Sequence, residues 1–426
     1  MNNCKGERAE RINRAHPLTF AMVGETKIFP SMNSPGRNYP AKRFLPIGLC
    51  LALGLVSWGQ EPDRFPGPEN PTELDRFILD GMKEAKVPGL AAAVVRNDKM
   101  VWEGYYGWAN REKKIPVTKG TLFQVASVSK PVTAYAVMQL VEKGDLSLDG
   151  DVNEVLPFGV RNPKHPKVPI TLRHLLTHTS GIRDNWKVLE DTWVKNGDFP
   201  KPLGESLAAY LQPKGEYFSA KKSFYQWAPG EKSQYSNVGF ALAAYLAEAK
   251  AKVSFETLCQ RGVFEPLGMQ GSSFRLKGMD QARIAMPYGF KKKTGVFKPL
   301  GHHGYLDFPS GTLRLTAAHL ARFLLSFIGD GQVDGIRILK AETVREMRRI
   351  SFPKADSKQG LAWYFDKIGN SRVMGHDGGD PGVSTLMHYR PKDGVGFIIL
   401  QNGEPKNGKF EQALAQRLLS VAGQNK

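Results

Sequence analysis

Cysteine is scarce in this chain, with three in 426 residues: Cys4, Cys50 and Cys259. Two of them fall within residues 1–59, so the folded part holds one thiol and no disulfide framework. One thiol is compatible with either redox compartment. Acidic residues are also short, 41 against 59 lysines and arginines, for a formal charge of +18. A basic excess favours polyanions such as anionic cell-envelope polymers or nucleic acid. The lysines, however, sit in short clusters (Lys221-Lys222, Lys291-Lys292-Lys293) with no nucleic-acid motif beside them, so no nucleic-acid partner is expected. Gly-x-Ser-x-Gly elbows and phosphate-cradling glycine loops are missing, which removes the α/β-hydrolase and nucleotide-binding classes. His174 and His178 have the spacing of a zinc pair but no glutamate follows His174. Neither a metal nor a cofactor is expected.

What is present is the composition of a globular protein with a large core: 41% hydrophobic and 10% aromatic residues. Lys42-Arg43 precede the apolar run Phe44 to Gly59, which is short for a membrane span and long enough for a signal-peptide core. Ser57 and Gly59 place small residues before a cut at Gln60, and Met32 would make a conventional start. Export to the periplasm or the outside of the cell is therefore expected, with membrane attachment only if that segment stays uncleaved. The organisation read from the sequence is an N-terminal extension and signal peptide over 1–59, a Pro-rich linker over 60–71, and one domain over 72–426.

Within the domain, Thr72 to Lys86 has the period of an amphipathic helix. Leu90–Val95 and Met100–Trp108 read as strands joined at Asn97-Asp98-Lys99. Strand signals return at Arg372–His376, Val383–Tyr389 and Val395–Gln401, followed by an amphipathic helix over Phe410–Val421. Between them lie short helices (172–177, 207–211, 238–250, 255–263), a strong one over Gly311–Ile328 and another over Ala341–Arg349. The simplest architecture is α+β: an antiparallel sheet built from the N- and C-terminal segments (72–131 and 301–426), flanked by helices, with a mostly helical part inserted over 132–300.

The stretch that organises the chain is Phe123-Gln-Val-Ala-Ser127-Val-Ser-Lys130-Pro131, which leads into a run that stays apolar nearly all round up to Glu142. Such a helix belongs in a core. Pro131 is tolerated only in a first turn, so the helix is expected to begin near Ser127, and Gly144 to stop it. Ser127 and Lys130 then share one face at the positive end of a helix dipole, as an activated serine nucleophile requires. In isolation the pair also suits a capping serine and a solvated lysine. Of three Ser-x-x-Lys matches (Ser127, Ser219, Ser351), only the first opens a core helix.

Two further segments carry chemistry. Tyr235-Ser-Asn237 is the one Tyr-x-Asn in the chain, between a Pro229-Gly230 turn and an apolar helix. Tyrosine can shuttle a proton if a neighbouring ammonium lowers its pKa. Asparagine can hold a substrate carbonyl or orient the lysine. His376-Asp377-Gly378-Gly379 lies between strand signals, where glycines mark close backbone approach and an exposed amide can face an oxyanion. His302, His303 and Asp307 suit either a cleft wall or an ordinary surface loop.

In order and spacing these three segments resemble the serine β-lactamase-like hydrolases, in the branch of class C β-lactamases, D-alanyl-D-alanine carboxypeptidases, D-aminopeptidases and esterases. The resemblance spans about residues 72–403 and includes Leu146-Ser-Leu-Asp, Leu172-Arg-His-Leu-Leu-Thr-His-Thr-Ser-Gly181 and Pro309-Ser-Gly311. It implies that Ser127 is acylated and that Lys130 and Tyr235 move its proton. It also implies that the amides of Ser127 and Gly379 form the oxyanion hole, and that Asn237, His376, Asp377 and Gly378 line the substrate. Asp377 stands where relatives carry a small hydroxyl. Facing the cleft, it would repel a substrate carboxylate by ~4 kcal/mol at 4 Å and an effective dielectric near 20. The expectation is thus an esterase- or amidase-type serine hydrolase with weak β-lactamase activity, acting on a small-molecule or peptide acyl donor. A D-alanyl-D-alanine carboxypeptidase or class C-type β-lactamase is the alternative. A non-catalytic envelope protein binding a cell-envelope polymer on the same fold is the second.

Overall fold

The computed structural model describes residues 65–405 and 408–421. The expected signal segment, its cut at Gln60 and the start of the linker lie outside the described residues. The first helix, α1 (Glu73–Ala85), starts on a reciprocal cap: Thr72 Oγ1 accepts from the Asp75 N–H at 3.2 Å, and Asp75 Oδ2 accepts from the Thr72 N–H at 2.7 Å. Lys86, at φ 60°, ends it.

Seven strands form one antiparallel sheet: β1 (Gly89–Arg96), β2 (Lys99–Asn110), β3 (Ile115–Pro116), β4 (Tyr364–Ile368), β5 (Ser371–Asp380), β6 (Val383–Arg390) and β7 (Val395–Gln401). Their order is β4-β5-β6-β7-β1-β2-β3, so the two ends of the chain meet where β7 pairs with β1, from Leu90 opposite Gln401 to Val95 opposite Gly396. Four more helices position the site: α2 (Ser129–Glu142) and α3 (Asn237–Ala251), which pack on each other, and α4 (Ala317–Ile328) and α5 (Lys409–Val421), which pack on the sheet.

The unbroken apolar runs of β1 and β7 follow from burial on both faces. Leu90, Ala92, Val94, Phe397 and Ile399 pack against Ile78 and Met82 of α1 and Leu414 and Leu418 of α5. Their alternates Ala91, Ala93, Val95, Ile398 and Leu400 belong to the larger core with α2 and α4. Each fully buried valine, leucine, isoleucine or phenylalanine in these layers contributes about 1.5–3 kcal/mol of transfer free energy.

Three expectations are corrected. The central helix begins at Ser129, because Ala126–Val128 form a 3₁₀ turn and Ala126 takes φ +46°. Helix α4 begins at Ala317 rather than Gly311: Arg314-Leu315 pair with Phe123-Gln124, and Thr316 then caps the helix by accepting from the His319 N–H at 3.1 Å. The glycine-rich stretch is strand throughout, since β5 runs on to Asp380, and β4 adds an edge strand beside it.

Candidate active site

Ser127 sits in the 3₁₀ turn that leads into α2, directly after a non-glycine residue in the left-handed region. Holding Ala126 there costs of order 1–3 kcal/mol, which the surrounding core must sustain. Strand β5 presses against this turn. A Cβ on Gly378 would run into the Val125 carbonyl oxygen and Thr385 Oγ1, and would lie 3.0 Å from the Ser127 nitrogen. Gly378 is therefore a close-approach glycine whose absent side chain lets the strand reach the nucleophile; it offers substrate no side-chain contact.

Lys130 is fully buried one turn along, and its Nζ has three neighbours: Ser127 Oγ at 3.0 Å, Asn237 Oδ1 at 2.7 Å and the Ser310 carbonyl at 2.8 Å. Burial drives its pKa down from 10.5 to about 7, against the opposing pull of the Asp307, Asp184 and Asp380 carboxylates. Burial likewise raises the Asp307 carboxyl.

Tyr235 arrives from the segment before α3 and hydrogen-bonds to Ser127 through its hydroxyl. The Lys130 Nζ lies 4.8 Å from the centroid of the Tyr235 ring. The expectation of a lowered tyrosine pKa is thus reversed: burial holds the phenol well above its usual range. His178, at φ 58°, supports the ring. Its Nδ1 accepts from the Ser236 N–H at 3.1 Å and its imidazole lies 4.2 Å from the Tyr235 ring centroid. His174 is engaged separately, with Nδ1 accepting from the Thr171 N–H at 3.2 Å and its ring stacked on Phe352. Among the described residues no group of three or more His, Cys, Asp or Glu is arranged to hold a metal.

Sequence reasoning missed Asp184. One of its oxygens accepts from both the backbone N–H and the side-chain amide of Asn237, at 2.8 and 3.0 Å. The other accepts from Ser236 Oγ and the Val238 N–H, at 3.0 and 3.1 Å. A buried acid at the N-terminus of α3 suits the helix dipole and fixes the Asn237 amide so that its carbonyl oxygen points at Lys130. Asn237 accordingly orients the lysine, with one of its two amide hydrogens held by Asp184. No local motif marks Asp184, because it lies 53 residues before its partner.

Side chains alternate along β5. Met374 joins the core of α2 and α4, so His376, Gly378 and Asp380 face Ser127; Val373 joins the core of α1 and α5, so Asp377 and Gly379 face the other way. His376 lies 6.3 Å from the Tyr235 ring, ring centre to ring centre, and burial beside Lys130 pushes its pKa down to about 3. Asp377 points away from the cleft, with Oδ1 3.5 Å from His388 Nδ1 on the opposite face. The repulsion expected of it is absent for that reason. The Asp377 N–H donates to the Tyr364 hydroxyl at 3.1 Å, at the free edge of the strand beyond the end of β4. Two residues on, the Gly379 N–H points to the same edge, and nothing lies within 4 Å of where its Cβ would be. His303 and Asp307 also belong to this region: the His303 ring stands 5.6 Å from Trp193, and Asp307 accepts from Ser310 Oγ at 3.0 Å. His302 is buried beside them, its N–H donating to Asn196 Oδ1 at 3.0 Å.

A sheet closed by the two ends of the chain, with serine and lysine opening the buried helix beneath its edge, is the plan of the serine β-lactamase-like hydrolases; fold and site define that class. The chain belongs to the Beta-lactamase family, whose profile matches residues 74–422. It is similar to protein flp of Staphylococcus aureus strain N315, 23% identical over 348 residues, which are 81% of this chain and 65% of that one. It thus spans just under two thirds of that relative's length. It is also similar to penicillin-binding protein 4 of Amycolatopsis lactamdurans, 29% identical over 359 residues, covering 80% of this chain and 87% of the relative. Among solved structures, the octameric penicillin-binding protein homologue of Pyrococcus abyssi superposes with a TM-score of 0.66 at 26% identity, covering 82% of this chain and 76% of that one.

Proposed function

We propose that this protein is a hydrolase that cleaves ester or amide bonds through an acyl-enzyme on Ser127. One observation carries the reading: the three neighbours of Lys130 Nζ. Two of them, Asn237 Oδ1 and the Ser310 carbonyl, can only accept hydrogen bonds. A neutral amine satisfies both with its two hydrogens and aims its lone pair at Ser127 Oγ, 3.0 Å away. Its depressed pKa makes that neutral form available near pH 7.

Lys130 then takes the Ser127 proton as the serine attacks the carbonyl. The N–H groups of Ser127 and Gly379 receive the developing oxyanion, about 3–4 kcal/mol per donor in comparable sites. Tyr235, a neutral phenol bonded to Ser127, gives its proton to the leaving group and regains one from the Lys130 ammonium, which holds the proton taken from Ser127. Water releases the acyl group by the reverse relay.

Neutral His376 supplies no cation for a substrate carboxylate. That favours esters and amides without a carboxylate near the scissile bond over β-lactams and D-alanyl-D-alanine peptides, and it replaces the argument from Asp377. Export, which the apolar segment at 44–59 and the penicillin-binding relatives favour, would bring the enzyme to acyl donors of the cell envelope. Among the described residues no helix is long and apolar enough to cross a membrane.

The test is labelling with a fluorophosphonate, comparing wild type with Ser127→Ala. Labelling of the wild type alone is expected. A wild-type protein that stays unlabelled from pH 6 to pH 8 (about one unit either side of the Lys130 value) refutes the proposal.

A further inference from the structure

The two ends of the oxyanion edge differ in chemistry. At one end stand His376, Tyr364 and the Tyr235 ring, the tyrosine whose hydroxyl serves the leaving group in the reading above. At the other end is Asp380, one residue beyond Gly379 and on the Ser127 face of the strand. A substrate carbonyl seated between the Ser127 and Gly379 amides directs its leaving group toward Tyr235. Its acyl substituent therefore runs toward Asp380. Consecutive Cα atoms are about 3.8 Å apart, so that carboxylate lies within reach of a group one or two carbons from the scissile carbonyl.

Asp380 is built into place. Its Oδ2 accepts from Gln124 Nε2 at 2.8 Å and from the Tyr305 hydroxyl at 3.0 Å. Both donors are neutral, and no described cation forms an ion pair with it. Gln124, 4% exposed, keeps its own Oε1 buried without a hydrogen-bond partner among the described residues. Tyr305 continues into an aromatic wall, with its ring centre 6.0 Å from that of Trp193, whose own lies 5.6 Å from that of His303. A fixed carboxylate beside aromatic faces is the environment that receives an ammonium group. Burial holds the Asp380 carboxyl up to about 6, so at pH 7 it is mostly ionised while an α-amino group is still mostly protonated.

We infer that Asp380 forms an acyl-side subsite for a primary ammonium, and that the substrates are therefore aminoacyl compounds: amides, esters or short peptides with a free amino group next to the scissile carbonyl. This rests on the hydrolase reading above.

The experiment measures kcat/KM at pH 7 for alanine p-nitroanilide, both enantiomers, against the N-acetyl counterparts. The wild type is expected to favour the free amine of at least one enantiomer by roughly tenfold or more, the size of one charge-assisted contact. Asp380→Asn should collapse that ratio, and Asp380→Glu should restore part of it, with thermal melts confirming that both variants fold. Equal or better turnover of the N-acetyl substrates, no turnover of any free-amine substrate, or a ratio unmoved in Asp380→Asn overturns the inference. Fluorophosphonate labelling separates the two failures. A protein that labels but shows no amine preference loses only the subsite, whereas one that does not label loses the hydrolase reading and the subsite with it.

Discussion

Asp184 and Asn237 are joined twice: one carboxylate oxygen accepts the backbone N–H of Asn237 at 2.8 Å and its side-chain amide at 3.0 Å. That bond fixes which end of the amide meets Lys130. An asparagine at 184 keeps one acceptor where the carboxylate serves four donors, and it removes a negative charge that raises the lysine pKa. Asp184→Asn is expected to lower kcat/KM by at least tenfold, since hydrogen bonds to a charged group are worth about 1.5–3 kcal/mol. It should also move the acidic limb of the pH profile to lower pH. A limb that stays in place in the folded variant contradicts the coupling.

The wild-type pH profile follows from the direction of the Lys130 shift. Burial disfavours the ammonium and brings its pKa to about 7, and the amine acts as the base only once deprotonated. Activity on p-nitrophenyl acetate is therefore expected to rise as pH increases through about 7. Lys130→Arg, which keeps the charge but cannot deprotonate, should lose activity by ~10³-fold or more. A flat profile between pH 5 and pH 9 (roughly two units either side of that value) would contradict the assignment.

Tyr235→Phe separates the hydroxyl from the ring. The ring keeps its place over His178, 4.2 Å between centroids, so the melting temperature should stay close to that of the wild type. The lost hydroxyl bond to Ser127 should lower kcat by ~10²–10⁴-fold, the usual worth of a positioned acid. Near-wild-type turnover with a good leaving group, and a deep loss with a poor one, would assign the tyrosine to leaving-group protonation alone.

The adjacent glycines of β5 make a paired test. A methyl at 378 meets the Val125 carbonyl and Thr385 Oγ1, whereas at 379 it meets nothing within 4 Å. Gly378→Ala is expected to cost about 1–3 kcal/mol and to push the oxyanion edge off Ser127, with loss of turnover. Gly379→Ala should melt like the wild type. Equal melting temperatures for the two variants would refute the close-approach account.

Much of this was legible in the chain itself. The double-sided runs of β1 and β7 and the all-round apolar character of α2 announce burial, and the spacing of Ser127 and Lys130 puts them on one face, while Tyr235 joins them through the resemblance of the three motifs to known hydrolases. Strand β4 was not legible, because Tyr364–Ile368 sits half-covered at an edge and mixes aromatic with charged residues. The start of α4 was misplaced because a two-residue pairing at Arg314-Leu315 precedes its cap. The facing of Asp377 depends on strand parity, which shifts by a whole side with one residue of register. Asp184 and Asp380 act through partners 53 and 256 residues away, and no local pattern encodes that distance.

Because β1 is completed only by β7, a ribosome must deliver the chain through Gln401 before the central sheet can close. The 3₁₀ turn of Ser127 leans on β5, which is also made late. A nascent fragment thus carries its nucleophile with neither the amide of Gly379 nor the wall behind it. A complete site at Ser127 waits on β5 and β7, and ending the chain before Val395 should silence the enzyme as thoroughly as removing its serine.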